Sequence, residues 1–182
     1  MLKPESKDRR IVHGVLMAVF GRGVMIVGPS GSGKSDLALG LLDRGHALVA
    51  DDAVRVEHRG DALLGSAPET TDGILAVRGL GLIDVVKIFG DDAYLPYVQI
   101  ERLVELGSPS DEPAADPFSD ELNRHRLCGK EIPCIQIDPA RSDMLPLIVE
   151  TWLRLKVSSC IETARAVRSA HDSTLVDAGT AN

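Results

Sequence analysis

The stretch Gly28-Pro29-Ser30-Gly31-Ser32-Gly33-Lys34-Ser35 holds the residues with the clearest chemical purpose. It matches G-x-x-x-x-G-K-[ST] at every fixed position. Its glycines permit backbone conformations that aim successive N–H groups into one concavity, and such a concavity suits a phosphate. A helix starting behind the loop would add about half a positive charge. In that setting Lys34 reaches the β- and γ-phosphates of a nucleotide, and the Ser35 hydroxyl ligates Mg²⁺. A flexible Gly/Ser turn would need neither group at these offsets. The expectation is a nucleotide-binding loop.

A second constellation follows at Leu48-Val49-Ala50-Asp51-Asp52, where an apolar run ends in two carboxylates. A carboxylate at such a strand end commonly sits beside Mg²⁺ in phosphate-loop proteins. Consecutive side chains on a strand face opposite ways, so the pair reads as two separate tools. One serves Mg²⁺ or its water, with Asp51 assigned there, and the other meets a substrate hydroxyl. The plain alternative is a solvated acidic turn.

The elements that must position these groups are legible around them. Val24 to Val27 reads as a buried strand entering the loop. Leu37, Ala38, Leu41 and Leu42 recur at helical spacing after it, and Gly45 ends that helix. Val15 to Phe20 pairs with the loop strand across a turn at Gly21-Arg22-Gly23, and residues 54–58 and 62–64 form a second hairpin about Arg59-Gly60-Asp61. Ile74 to Val77 and Leu82 to Val86 flank Arg78-Gly79-Leu80-Gly81, whose glycines suggest a bulge or a close backbone approach. Tyr97 to Leu106 reads as a strand or a short helix. Residues 107–123 hold three prolines among acidic residues and read as a solvated loop. Ile132 to Ile137 is the last strand. From Pro146 a helical pattern places Leu147, Ile148, Thr151, Trp152 and Leu155 on one face and runs to about residue 171. Residues 1–10 and 172–182 read as tails of one domain spanning 1–182. With hairpins around the loop, the sheet must be mixed rather than purely parallel.

Composition narrows the partners. The chain has 182 residues, a formal net charge of −7 and only 3% aromatic residues. That balance argues against nucleic acid and against an anionic membrane surface. No apolar run approaches the roughly 18 residues that span a bilayer, and no signal-peptide pattern follows the charged N-terminus. Cys128, Cys134 and Cys160 are odd in number and lack metal-binding spacing, so they read as reduced, partly buried thiols. The expected location is the cytoplasm.

Taken in order, His13-Gly14, GPSGSGKS, RGHALVADD at residues 44–52 and VRGLGLIDV at residues 77–85 resemble the HPr kinase/phosphorylase family. The likeness is close over residues 11–90 and thin over 91–182, and it is to the short, catalytic-domain-only form. It implies an α/β fold of the phosphoenolpyruvate-carboxykinase-like P-loop kinase type, with a mixed β-sheet and flanking helices. It also implies an ATP- and Mg²⁺-dependent serine kinase acting on the phosphocarrier HPr, reversed by inorganic phosphate, in a homo-oligomer that is typically a hexamer. The resemblance makes His13 an active-site histidine, Lys34 the catalytic loop lysine and Ser35 the Mg²⁺-binding hydroxyl. Asp52 becomes the proton acceptor of phosphorylation and the proton donor of the reverse reaction.

The departures are specific. Ala76 stands where the family carries a Mg²⁺-binding glutamate, and a methyl group cannot ligate a hard cation. Either Ser35, an aspartate and phosphates hold the ion, or Glu69, Asp72 or Asp84 moves in, or activity is weakened. Arg78 is kept as a phosphate-binding candidate. The family's second arginine matches Arg124 or Arg126, with Arg124 taken as the candidate. The loop that serves dephosphorylation has a poor counterpart at residues 137–141, which favours kinase over phosphorylase activity. Two other classes stay open: a catalytically silent nucleotide-sensing module, and a P-loop kinase of a small molecule.

Overall fold

A computed structural model describes residues 9–107, 123–141 and 144–155. Short aliphatic runs broken by glycine turns make it strand-rich. In chain order the elements are β1 (Arg9–His13), β2 (Val15–Val19), β3 (Arg22–Val27), α1 (Lys34–Asp43), β4 (Ala47–Ala50), β5 (Ala53–Arg59) and β6 (Ala62–Ser66). There follow β7 (Ile74–Val77), β8 (Gly81–Asp84), α2 (Val85–Phe89), β9 (Tyr97–Leu106), β10 (Arg124–Leu127), β11 (Lys130–Ile137) and α3 (Leu145–Arg154).

The main sheet runs β1-β5-β6-β9-β3-β2-β4, with β11 joined to β9 and β10 to β11, while β7 and β8 form a separate ribbon. It is mixed, as the hairpins require. β9 pairs in parallel with β3, antiparallel with β6 through its first half, and in parallel with β11 through its second. Tyr97 to Leu106 is therefore a strand, and one long enough to bind three neighbours. In β2 the five residues are all buried: Val15, Met17 and Val19 join the core layer containing α1 and α3, while Leu16 and Ala18 join the opposite layer. Strand alternation with both faces covered explains why the run is continuously apolar.

Several boundaries differ from the sequence reading. β2 ends at Val19, and the turn is Phe20-Gly21, both at positive φ (52° and 75°), a two-residue hairpin turn whose twist suits the strands. Gly23 lies in β3 instead of the turn, where a side chain would collide with the Gln99 carbonyl of β9. Gly79 and Gly81 turn the β7–β8 ribbon at φ 85° and 87°, and no close approach or bulge is involved. The strand expected over Leu82 to Val86 stops at Asp84, whose carboxylate accepts the Lys87 N–H at 3.1 Å and starts α2. Arg9 and Arg10 belong to β1 and not to a tail. α3 ends at Arg154, because Leu155 is extended, and its buried residues are Val149, Glu150, Trp152 and Leu153, with Thr151 exposed. Residues 108–122 of the loop expected over 107–123, and the chain beyond residue 155, lie outside the described residues.

The helix after the loop ends as expected: the Gly45 N–H bonds the Leu42 carbonyl at 2.9 Å and the His46 N–H bonds that of Leu41 at 3.1 Å. Just there, Glu150 of α3 accepts from Arg44 at 2.5 Å and pairs with His46 at 2.8 Å, joining α1 to α3. Cys128 and Cys134 are free thiols, and burial pushes the Cys134 thiol up to about 12. Among the described residues no helix is long and apolar enough to cross a membrane.

Candidate active site

β3 feeds Val27 directly into the glycine loop, and α1 begins at Lys34 with its N-terminus behind that loop. Gly28, Gly31 and Gly33 all have positive φ, at 148°, 79° and 90°. Gly28 is pressed against the Leu106 carbonyl of β9, so no side chain fits there. This is the backbone concavity that the motif predicts. The Lys34 ammonium is buried and donates to the carbonyls of Gly28 at 3.0 Å and Pro29 at 2.9 Å. A phosphate would have to draw it away from its own loop.

The loop opens on a cleft of about 420 Å³ that contains His13, Ser30, Gly31, Gly33, Lys34, Ser35, Asp51, Asp52 and Arg78. Gly28, Pro29 and Ser32, expected with the rest of the loop at the nucleotide, do not line this cleft. The Ser32 hydroxyl is buried and has no hydrogen-bond partner.

Both carboxylates stand in the turn that follows β4, and the left-handed backbone at Asp52 is what separates their surroundings. Asp51 is buried and accepts the Ala76 N–H at 2.8 Å; Asp52 is exposed at a left-handed φ of 64°. Burial raises the Asp51 carboxyl above the usual range, against the opposing pull of the Ala76 and Asp52 N–H groups and the Lys34 charge. His13, at the end of β1, holds Asp52 twice: its Nδ1 is 2.9 Å from the Asp52 carbonyl oxygen and 3.1 Å from Oδ1. A left-handed aspartate at a cleft mouth is conformationally costly and persists where surrounding contacts fix it.

Across the cleft stands β7. Strand alternation turns Ile74, Ala76 and Arg78 toward the cleft and Leu75 and Val77 into the core. Ala76 thus presents its methyl to the cleft. Glu69, Asp72 and Asp84 do not line the cleft; Asp84 is engaged by Lys87 at 2.7 Å, and Asp72 lies beside Tyr94. Among the described residues no group of three or more His, Cys, Asp and Glu could hold a metal ion by itself. The donors that suit a hard cation are the Ser35 hydroxyl and the aspartates of the cleft, completed by phosphate oxygens.

Arg124 is not brought to this site. It lies on β10 in a separate cleft with Arg102 and Lys130, donating to the Glu131 carbonyl at 3.2 Å, and Arg126 pairs with Glu131 at 3.5 Å. Conversely, Asp36, Thr71, Ile74 and Leu82 line the main cleft without having been singled out. Asp36 follows Ser35 directly, and Ile74 shares the alternation of Arg78, so both carried a readable signal. Thr71 enters through a turn that no period announces.

A glycine loop with its lysine and hydroxyl at a helix N-terminus, and two carboxylates in the turn after β4, is the arrangement by which P-loop proteins hold nucleotide phosphates. The comparisons refine that class. Residues 5–170 match the HPr Serine kinase C-terminal domain, and the chain belongs to that family. It is 41% identical over 140 residues to an HPr kinase/phosphorylase of Geobacillus thermodenitrificans, covering 76% of this chain and 45% of that protein. It is 39% identical over 148 residues to one from Mycoplasmopsis pulmonis, covering 81% and 48%. The chain thus spans about half the length of the curated relatives it matches. The solved HPr(Ser) kinase/phosphatase from Coxiella burnetii is similar with a TM-score of 0.70 and 33% identity, over 80% of this chain and 94% of that one.

Proposed function

We propose that this chain is a catalytic module that transfers the γ-phosphate of ATP to a serine of the phosphocarrier HPr, and that inorganic phosphate can reverse the transfer. The observation that carries the reading is the grouping of Asp52, fixed by His13, in one cleft with Lys34 and Ser35. Lys34 and Arg78 neutralise the migrating phosphoryl group, whose charge spreads over its oxygens during transfer. Asp52, exposed at the cleft mouth, takes the proton of the acceptor hydroxyl and returns it in the reverse direction. His13 orients that carboxylate through its Nδ1. Ser35 and Asp51 are the residues that would hold Mg²⁺, which would supply charge neutralisation for the phosphates when bound. A P-loop kinase fold of phosphoenolpyruvate-carboxykinase-like type, a cytoplasmic homo-oligomer, hexameric by resemblance, and a single domain over the chain belong to the same reading.

Transfer of labelled γ-phosphate to HPr tests it, with Asp52→Asn as control and a panel of small acceptors alongside. Labelling of HPr that disappears in Asp52→Asn supports the reading; labelling of a small acceptor instead would overturn the protein substrate. The methyl of Ala76 in the cleft favours one second reading, a nucleotide sensor without transfer activity, marked by ATP binding with no labelled product.

A further inference from the structure

The β7–β8 ribbon pairs with no strand of the main sheet, yet it carries Arg78 to the cleft. One edge of β7 is bonded to β8, and on its other edge the Ala76 N–H points to Asp51 Oδ2, 2.8 Å away and 25 residues earlier in the chain. Leu75 and Val77 bury the opposite face of β7 in the core beside α1. Apolar contact of this kind is non-directional; it sets how close the ribbon lies but not where along itself it stops. A hydrogen bond is directional, and one accepted by a carboxylate is among the stronger kinds. Asp51 is also fixed at its own end, since its carbonyl accepts the Ala53 N–H at 2.7 Å in the turn that presents Asp52.

We propose that Asp51 is a positioning residue: its buried carboxylate clasps the free edge of β7 at Ala76 and thereby holds Arg78 across the cleft from the glycine loop. Arg78 stands two residues beyond the clasp, in the turn that follows β7 directly. Its guanidinium lies 4.0 Å from where a side chain at Gly31 would begin. A ribbon free to slide would leave Leu75 and Val77 buried and still misplace the guanidinium. The assignment rests on the proposed phosphate-transfer reading for its consequence, but the clasp itself does not need that reading to be observed. It is a duty separate from any contact with Mg²⁺, because the group it acts on is a backbone amide.

The experiment combines residue-resolved amide exchange with ATP binding in Mg²⁺-free buffer, on the full chain and on Asp51→Ala, Asp51→Asn, Arg78→Ala and Asp51→Ala/Arg78→Ala. Asparagine has the length and the oxygen to accept from Ala76, whereas alanine has neither. Exchange at the Ala76 amide should rise at least tenfold in Asp51→Ala and stay near wild type in Asp51→Asn. ATP affinity should fall in Asp51→Ala, recover most of that loss in Asp51→Asn, and fall no further when Arg78→Ala is added. Unchanged exchange at Ala76 in Asp51→Ala overturns the clasp. Additive losses in the double variant overturn its action through Arg78, and so does an Asp51→Asn that protects Ala76 but binds ATP as poorly as Asp51→Ala. If Asp51→Ala fails to fold, Asp51→Ser, too short to reach the amide, takes its place. If the wild-type chain binds no ATP, the nucleotide reading falls while the exchange result still decides the clasp.

Discussion

Lys34 and Asp52 are held in opposite ways, and their variants should fail differently. The Lys34 ammonium is satisfied by two carbonyls of its own loop, so it is poised and not idle. Lys34→Ala should abolish ATP-dependent labelling of HPr, and near-normal turnover in that variant would remove the loop from the chemistry. Asp52 adopts a left-handed conformation that asparagine tolerates well, so Asp52→Asn should fold normally. It cannot take or supply a proton at neutral pH, and the expected loss in transfer rate is about 10²–10⁴-fold with ATP binding nearly intact. Partial rescue by excess Mg²⁺ would instead mark Asp52 as a metal ligand. Ala76→Glu points a carboxylate into the cleft on the face shared with Arg78. The Mg²⁺ concentration needed for half-maximal activity should drop; an unchanged metal titration would mean that the ion's coordination is already complete.

Between elements, the contact that ties the end of α1 to α3 is ionic, with Glu150 and His46 buried and Arg44 partly exposed. Arg44 chiefly, helped by His46, holds the Glu150 carboxyl at about 2, well below its ordinary 4.5. A carboxyl lowered in the folded state contributes stability that is fully present above its unfolded pKa and is lost as pH falls toward the folded one. Acid unfolding of the wild type should therefore gain a component between about pH 4.5 and 2 that Glu150→Gln lacks. Identical acid profiles for the two proteins would mean that the network is not maintained in solution. Glu150→Ala leaves the buried His46 without its acceptor and should cost roughly 1–3 kcal/mol in denaturant unfolding.

At the scale of the whole molecule, β9 carries more of the architecture than any single motif residue. It is the strand on which β3, β6 and β11 converge, and its Leu103 is fully buried. Leu103→Ala should cost roughly 2–5 kcal/mol, since neighbours fixed on both edges of the strand cannot close the cavity. Chemical denaturation at constant slope would show this; a loss under 1 kcal/mol, by that same scale, would mean that the layer relaxes around the gap.

The loop, the helix behind it and the carboxylate pair were readable from sequence because local rules determine each of them. Glycines suit the loop's positive-φ positions, period 3.6 marks α1, and the apolar run of β4 marks where the Asp51-Asp52 turn begins. The mixed character of the sheet was legible for a similar reason, because short hairpins force antiparallel neighbours. What the sequence left open depends on residues far apart in the chain. Nothing local to Tyr97–Leu106 says that three strands will pair with it, and nothing near Arg124 says that β10 will carry it away from the cleft. The same holds for Asp51: that its carboxylate meets the Ala76 amide follows only from how the ribbon packs against α1. Local periodicity assigns each residue a face, and tertiary packing decides what that face meets.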